Sequence, residues 1–424
     1  MLQTVELGGA ELGRDPPQGG IPVAHISTSA NASHHAGAPK GAEQKLFTSS
    51  FLRILTIQFA FGVSFSSFLL LPKFLRVELG AGPEMIGALG GMAVLWGAIC
   101  APFVGQLSAR VGRKSVLLLA LVFEGTGALG FVFVDSVGPL IFVLRSLQGL
   151  GFVLVFNATS TLAADLAPPR QMAKAVGFLG VSMMTTNALA PIVVEPLAET
   201  YGWTTCFLLA GLVVLSAAPL IARVLEPPAR PQALSAARRF NPQLLAVHYG
   251  SLVMGAGLGV MFTFIQPFAI ERGATQVGAF FLGYVPVALF VRIALGSLAD
   301  RFGHLRTAAL AMLVYALVVG ASSRLTPPYL ALSGAGLGLA HGFLYPALGA
   351  AGLLRVGQAG RSVFMGWFAC AFNAGFALAV LALGRLAKQT GYPAVFLLTA
   401  AFIASGILVL GLAFARPREP APVT

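Results

Sequence analysis

Charged side chains are scarce in this sequence. They make up 10% of its 424 residues, where a soluble domain carries roughly 25%. So few charges cannot clothe a globule of this length, and the mean hydropathy of +0.83 leaves an integral membrane protein as the expected class. Cysteine is scarcer still. Cys100, Cys206 and Cys370 lie far apart, in or at the edge of apolar stretches. That spacing excludes a disulfide framework or a structural zinc site and leaves small packing residues. Catalytic patterns are absent too: there is no Gly-x-Ser-x-Gly, no His-Glu-x-x-His and no phosphate-binding loop. The run Gly255–Gly259 sits inside an apolar segment with no strand–helix unit around it. An enzyme has no constellation to rest on, and no cofactor or metal is expected. No secretory signal is read in the polar stretch before Lys45, which is rich in Gly, Pro, Ala and Ser and is expected to be disordered. Its His25, His34 and His35 are read as solvated rather than as metal ligands.

Net charge of one sign is present, at +12, and raises the question of nucleic acid. The charges of the first 45 residues nearly cancel, so the excess lies in short loops between apolar runs. That is where topology signals belong, and no nucleic-acid partner is expected.

Long apolar runs dominate the rest. A bilayer core of about 30 Å takes roughly 20 helical residues per crossing, and twelve such segments fit between Phe51 and Phe414. They are Phe51–Leu71, Met85–Leu107, Ser115–Val134, Leu140–Leu162, Ala175–Leu197 and Thr205–Val224, then Leu245–Ile270, Val277–Leu298, Ala308–Ala321, Tyr329–Leu353, Ser362–Leu383 and Ala394–Phe414. The longest internal polar stretch, with Pro227, Pro228, Pro231, Arg230, Arg238 and Arg239, reads as a linker. The expected organisation is a disordered cytoplasmic tail (1–48), a six-helix bundle (49–224), a cytoplasmic linker (225–244), a second six-helix bundle (245–415) and a short cytoplasmic tail (416–424). With both termini placed in the cytoplasm, the inner loops hold thirteen basic residues, among them Arg110, Arg113, Lys114, Arg170, Arg301 and Arg306. The outer loops hold six: Lys73, Arg76, Arg272, Arg324, Arg385 and Lys388. Positive charge thus favours this orientation, with the chain in the plasma or inner membrane and surrounded by lipid.

The sequence also repeats itself. Gly-Gln-Leu-Ser-Ala-Arg-Val-Gly-Arg-Lys from Gly105 returns as Gly-Ser-Leu-Ala-Asp-Arg-Phe-Gly-His-Leu from Gly296, 191 residues on. Gly-Trp-Thr-Thr-Cys-Phe-Leu-Leu from Gly202 returns from Gly391 as Gly-Tyr-Pro-Ala-Val-Phe-Leu-Leu, an offset of 189. Both echoes fit a six-plus-six duplication. A third, Gly-Ala-Gly-Leu-Gly at Gly255 and Gly334, is followed in both places by a phenylalanine (Phe264, Phe343) and a proline (Pro267, Pro346) in register. It joins a segment running outward to one running inward, as an inverted three-plus-three repeat within one half would.

On these residues the chain resembles the major facilitator superfamily, whose loop signature is Gly-x-Leu-Ala-Asp-Arg-x-Gly-Arg-Lys. The second copy matches at Gly296, Leu298, Ala299, Asp300, Arg301 and Gly303; the first matches at Gly105, Leu107, Arg110, Gly112, Arg113 and Lys114, with Ala109 where the family has aspartate. The resemblance implies an all-α integral membrane fold: twelve transmembrane helices in two pseudo-symmetric six-helix bundles that give alternating access to a central cavity. It also implies a cytoplasmic gate built on Gly105, Arg110, Gly112, Arg113, Gly296, Asp300, Arg301 and Gly303, which latches the outward-open state. Asp300 is expected to take backbone donors at a helix start or to pair with Arg301 or Arg292; topology alone is the plainer role for these charges.

Arg145, Gln148, Gly149 and Gly151 resemble the family's Arg-x-x-Gln-Gly-x-Gly motif of proton-driven exporters. A guanidinium within the bilayer needs a partner or a wet cavity, and Glu124 stands at a similar depth. A Glu124–Arg145 pair is therefore expected, either as a static bridge or as a site of proton exchange. His341, with Tyr345 one turn on, sits where Pro346 frees the carbonyl of Gly342. It is either a binding and titrating residue or a core histidine bonded to a neighbouring helix. Helices 1, 4, 7 and 10 line the cavity in the family, which nominates Gln58, Arg145, Gln148, Gln266, His341 and Tyr345, with Glu124, Arg145 and His341 for proton coupling. Glu195 reads as a rim residue or an outer gate. The helix 5 sequence Ala188–Pro191 departs from the family's exporter motif. The expectation is a monomeric secondary transporter that exports a small organic molecule against protons. Uptake or facilitated diffusion of a metabolite is the alternative, and a non-transporting receptor or scaffold of the same fold the second.

Overall fold

The computed structural model describes residues 46–168, 171–226, 241–296, 298–356 and 360–415. Most of the expected tail 1–48, linker residues 227–240 and the tail 416–424 lie outside them, as do His25, His34, His35, Arg170, Arg230, Arg238 and Arg239. The described chain is helical throughout, with twelve long helices in sequence: α1 (Ser49–Val77), α2 (Pro83–Val111), α3 (Arg113–Phe133), α4 (Pro139–Leu166), α5 (Met172–Tyr201), α6 (Trp203–Ala222), α7 (Pro242–Glu271), α8 (Ala279–Ala294), α9 (His304–Ala321), α10 (Leu330–Leu353), α11 (Arg361–Thr390) and α12 (Tyr392–Ala415). Ten of these spans are long and apolar enough to cross a membrane. α8 is shorter, and α10 is diluted by glycine and by His341. They pack closely on one another, and each keeps an exposed apolar side, with Leu282, Phe290 and Ile293 on α8 and Leu332 and Leu339 on α10.

Several helices outrun their apolar cores. α1 bends through a 3-10 turn at Phe68–Leu70 and continues past Pro72, Lys73 and Arg76 to Val77. α11 continues past Leu383 to Thr390, carrying Arg385 and Lys388. Hydropathy marks the hydrocarbon length, whereas the backbone stays helical into the headgroup zone, where Arg76, Arg385 and Lys388 reach water. Within helices α5, α7, α8 and α10, the prolines Pro191, Pro196, Pro267, Pro286 and Pro346 each remove a backbone donor without ending the helix.

The sequence echoes mark equivalent places in the fold. Gly112 and Gly303 have φ of 84° and 90°, and Gly202 and Gly391 have φ of 81° and 80°. Each is the single residue between one helix and the next, in a conformation that side chains with a Cβ rarely adopt. Packing obeys the same symmetry. In the first half α1 packs on α4, α5 and α6, α3 on α4 and α6, and α2 on α4; in the second, α7 packs on α10, α11 and α12, α9 on α10 and α12, and α8 on α10. Adding six to each helix number converts one set into the other. The third echo is structural as well. A Cβ on Gly255 would meet the carbonyl of Phe372 on α11, and one on Gly334 would meet the carbonyl of Phe280 at the start of α8. In both places glycine lets two backbones approach, the usual basis of tight helix contact in a bilayer.

Candidate functional site

The two bundles meet along two helix pairs, α2 with α11 and α5 with α8, which the pseudo-twofold exchanges. An even number of passes puts the described chain ends and both signature turns on one face, called terminal here; the opposite face is distal. The α2–α11 seam is tight on the distal side. A Cβ on Gly91 would lie 3.0 Å from Val380 Cγ2 and 3.1 Å from the Ala377 carbonyl, and Gly87 and Gly384 are similarly enclosed. Towards the terminal face Gly105, Gly177, Gly180 and Gly366 have no such neighbours, and Phe103, Val176, Val181 and Trp367 are exposed.

Polar contacts between the bundles follow the same gradient. Lys73 Nζ donates across the interface to the Thr275 carbonyl at 3.0 Å and, within its own bundle, to Glu195 Oε1 at 2.7 Å and Glu199 Oε1 at 3.0 Å. Glu195 also accepts from the backbone N–H groups of Val277 (2.7 Å) and Gly278 (2.6 Å) at the start of α8. Arg76–Glu271 (3.2 Å) and Lys388–Glu84 (2.7 Å) flank this cluster with greater exposure. Gln266 Nε2 donates to the Leu69 carbonyl at 2.7 Å. Gln266 therefore takes part in the distal closure. The contact deepest towards the terminal face is Arg292 Nη1 to Met184 Sδ at 3.1 Å. Beyond it, among the described residues, no hydrogen bond or ion pair joins the bundles. The molecule is closed on its distal side and parted on its terminal side.

The signature turns fit that state. Gly105, Arg110, Arg301 and Gly303 are exposed. Asp300 approaches His304 Nε2 at 3.5 Å, not Arg301 or Arg292 as the sequence led us to expect. Arg113 is buried and pairs with Asp165 at 2.6 Å, and its backbone N–H donates to Glu226. The first turn is thus a brace among α3, α4 and the end of α6.

Inside the first bundle the motif residues divide by role. Gly149 packs on the backbone of Ala93 in α2, and a Cβ on Gly151 would come 3.0 Å from the Ala120 carbonyl and 3.2 Å from Glu124 N in α3. The two glycines bring three helices together around Arg145 and Gln148. Arg145 Nη1 donates to Gln148 Oε1 at 2.6 Å and Nε to the Leu89 carbonyl at 3.4 Å. Glu124, fully buried, accepts from Ser64 Oγ of α1 at 3.0 Å. The expected Glu124–Arg145 ion pair does not form, since each side chain turns to a closer neutral partner. Glu124 Oε2 and Gln148 Nε2 have no protein partner. Gln58 accepts from Thr159 at 2.9 Å and ties α1 to α4.

In the second bundle Tyr284 of α8 and His341 Nδ1 of α10 share a hydrogen bond of 2.8 Å, which leaves His341 Nε2 unpartnered. The Arg292 guanidinium lies 5.7 Å from the ring centroid of Tyr345, and its Nε has no partner. Of the nominated residues, the structure groups Arg145 with Gln148, beside Glu124, and His341 with Tyr345; it sets Gln58 and Gln266 apart from both. Sequence reasoning missed Ser64, Lys73 and the role of Arg292. Lys73 was counted among the outer-loop charges, and only the structure shows that its segment stays helical.

A family model described as Major Facilitator Superfamily matches residues 54–323 and 273–424. The chain is 27% identical over 367 residues to the multi-drug resistance efflux pump PmrA of Streptococcus pneumoniae, covering 80% of this chain and 89% of that one. It is 30% identical over 349 residues to monocarboxylate transporter 11 of Mus musculus, covering 74% and 76%. The crystal structure of the nucleoside transporter NupG superposes with a TM-score of 0.72 at 12% identity, covering 87% of this chain and 100% of that one.

Proposed function

Because the chain belongs to the major facilitator superfamily, and so is a multi-pass secondary transporter of small molecules and not an enzyme, we propose that it exports a small organic molecule in exchange for protons. Alternating access carries the cycle, and the state described here faces the terminal side. The bundles that rock are residues 49–224 and 245–415, acting as one monomer. The terminal face is cytoplasmic and the membrane is the plasma or inner membrane, as the excess of basic residues in the terminal-side loops supports. Labelling of Arg110→Cys and Arg301→Cys from the cytoplasmic side alone is the expected outcome.

One observation carries the proton reading. Glu124 is fully buried in the membrane-spanning part of α3, with one oxygen on a neutral serine and the other without a protein partner. An isolated buried carboxylate is costly, and taking up a proton removes that cost. Arg145 and Gln148 stand next to it without pairing with it. One relative named as a multi-drug resistance efflux pump and another named as a multidrug resistance protein support the outward direction. In proteoliposomes an imposed pH gradient should drive substrate flux, and Glu124→Gln should abolish the gradient dependence. Flux indifferent to both would end the proton reading, and ligand binding without counterflow would mark a receptor.

The second bundle supports a substrate class. Among the described residues no carboxylate lies within ion-pair distance of Arg292; its neighbours are a thioether and an aromatic face. With the unpartnered His341 Nε2 and the rings of Tyr284 and Tyr345, it presents donors and aromatic faces together. We infer a substrate that carries an acidic group beside an apolar or aromatic body. Aromatic carboxylates should raise the thermal midpoint and their neutral amides should not. Arg292→Gln should erase that difference.

A further inference from the structure

Among the described residues the distal side holds four ion pairs, Lys73–Glu195 and Lys73–Glu199 within the first bundle and Arg76–Glu271 and Lys388–Glu84 between the bundles, and the first differs in kind. Lys73 and Glu195 have side chains 10% and 5% exposed, whereas Arg76–Glu271 and Lys388–Glu84 are at least one-third exposed on both sides. Exposed pairs contribute little, because water and salt screen them. A buried pair loses much when one partner is removed. Glu195 moreover holds three donors at once: the ammonium of Lys73 on α1 and the backbone N–H groups of Val277 and Gly278 at the start of α8. Each carboxylate oxygen takes one of those two N–H groups. The fit leaves no slack, since a Cβ on Gly278 would sit 2.7 Å from Glu195 Oε2. One side chain on α5 thereby fastens the first turn of α8 in the opposite bundle while Lys73 neutralises it.

We propose that Glu195, held by Lys73 and closed over the Val277 and Gly278 amides, is the distal gate, and that release of those amides and of the Lys73–Thr275 contact is the step that admits the distal-open state. The positioning residue is Glu195. Its carboxylate reaches the two amides only when the bundles meet on this side, so that contact stabilises the distal-closed state alone. Opening frees the carboxylate from the amides and exposes the pair to water, which keeps the gate reversible. A two-sided demand follows: a positive partner is not enough, because the carboxylate must also reach the amides of α8. Exchanging the charges, Lys73→Glu with Glu195→Lys, keeps the pair and loses the cap.

The test measures the conformational equilibrium and not transport, so it stands or falls apart from the proton and substrate readings. Spin labels on an encoded keto amino acid at Ser136 and Thr326, exposed on the distal loops of the two bundles, leave the three cysteines in place. Double electron–electron resonance then reads the fraction of molecules with the distal side parted. Glu195→Gln is expected to raise that fraction on the order of tenfold. Gly278→Ala should shift it the same way with every charge intact. Lys73→Arg should stay near wild type, the charge exchange should not restore closure, and Lys388→Met should leave the distribution unchanged. An unaltered distribution in folded Glu195→Gln overturns the gate, as does an equal shift from Lys388→Met or full restoration by the exchange. Should Glu195→Gln not yield monodisperse protein, Gly278→Ala and Lys73→Met decide the question in the same assay.

Discussion

The distal and terminal halves of the bundle interface are built from the same two helix pairs, yet only one half is engaged. On the distal side glycines of α2 and α11 interlock and a buried carboxylate caps the facing helix. On the terminal side the same helices carry glycines with open space beside them and exposed Phe103 and Trp367. The difference teaches that small residues along a seam do not by themselves hold it shut. They permit approach, and a charge-bearing contact that exists in only one state selects which end approaches.

Substitutions that treat the two halves alike should therefore give unlike results. The largest effect is expected at the distal seam: Gly87→Leu drives a side chain into the backbone of α11, a clash costing about 3 kcal/mol or more. It should lower the thermal midpoint by several degrees and shift the molecule towards distal-open, and a midpoint equal to wild type would break the comparison. Next is the brace on the terminal face. Arg113→Ala strands Asp165 in a nearly buried position, at a cost of about 3 kcal/mol, measurable as a lower denaturation midpoint without change in the distal distance distribution. Gly366→Leu on the open side should move the midpoint by about 0.5 kcal/mol or less, yet should slow exchange transport, because the terminal side must close once per cycle. The smallest effect belongs to Lys388→Met, at about 0.2 kcal/mol, and raised salt should abolish even that.

The fold was legible because duplication leaves marks that need no structure. The Gly112/Gly303 and Gly202/Gly391 pairs fall on single-residue turns of positive φ, where few residues but glycine serve. Segment lengths were underestimated wherever a helix continued into the headgroup zone, as α1 and α11 do, since hydropathy reports solvent and not hydrogen bonding. The candidate site was legible by residue type and depth but not by pairing. Glu124 and Arg145 stand at comparable depths, and whether they touch depends on the rotation of α3 and α4 about their axes. Gly127, against Gln148, and Gly151, against Glu124, set that rotation, and it sends the carboxylate to Ser64. The expectation for Asp300 missed His304 for a simpler reason: one turn of the short helix Leu298–Phe302 and its successor brings residues four apart together.

Composition, segment length and internal repetition determined the class, the twelve passes and the pseudo-symmetry, because each is a property of short windows of chain or of their recurrence. The distal closure was decided by tertiary structure alone. Lys73 and Glu195 are 122 positions apart and Glu195 and Val277 are 82, and neither residue is unusual where it stands. Only packing brings an ammonium, a carboxylate and a helix start to one point, where burial makes the contact strong enough to hold one face shut.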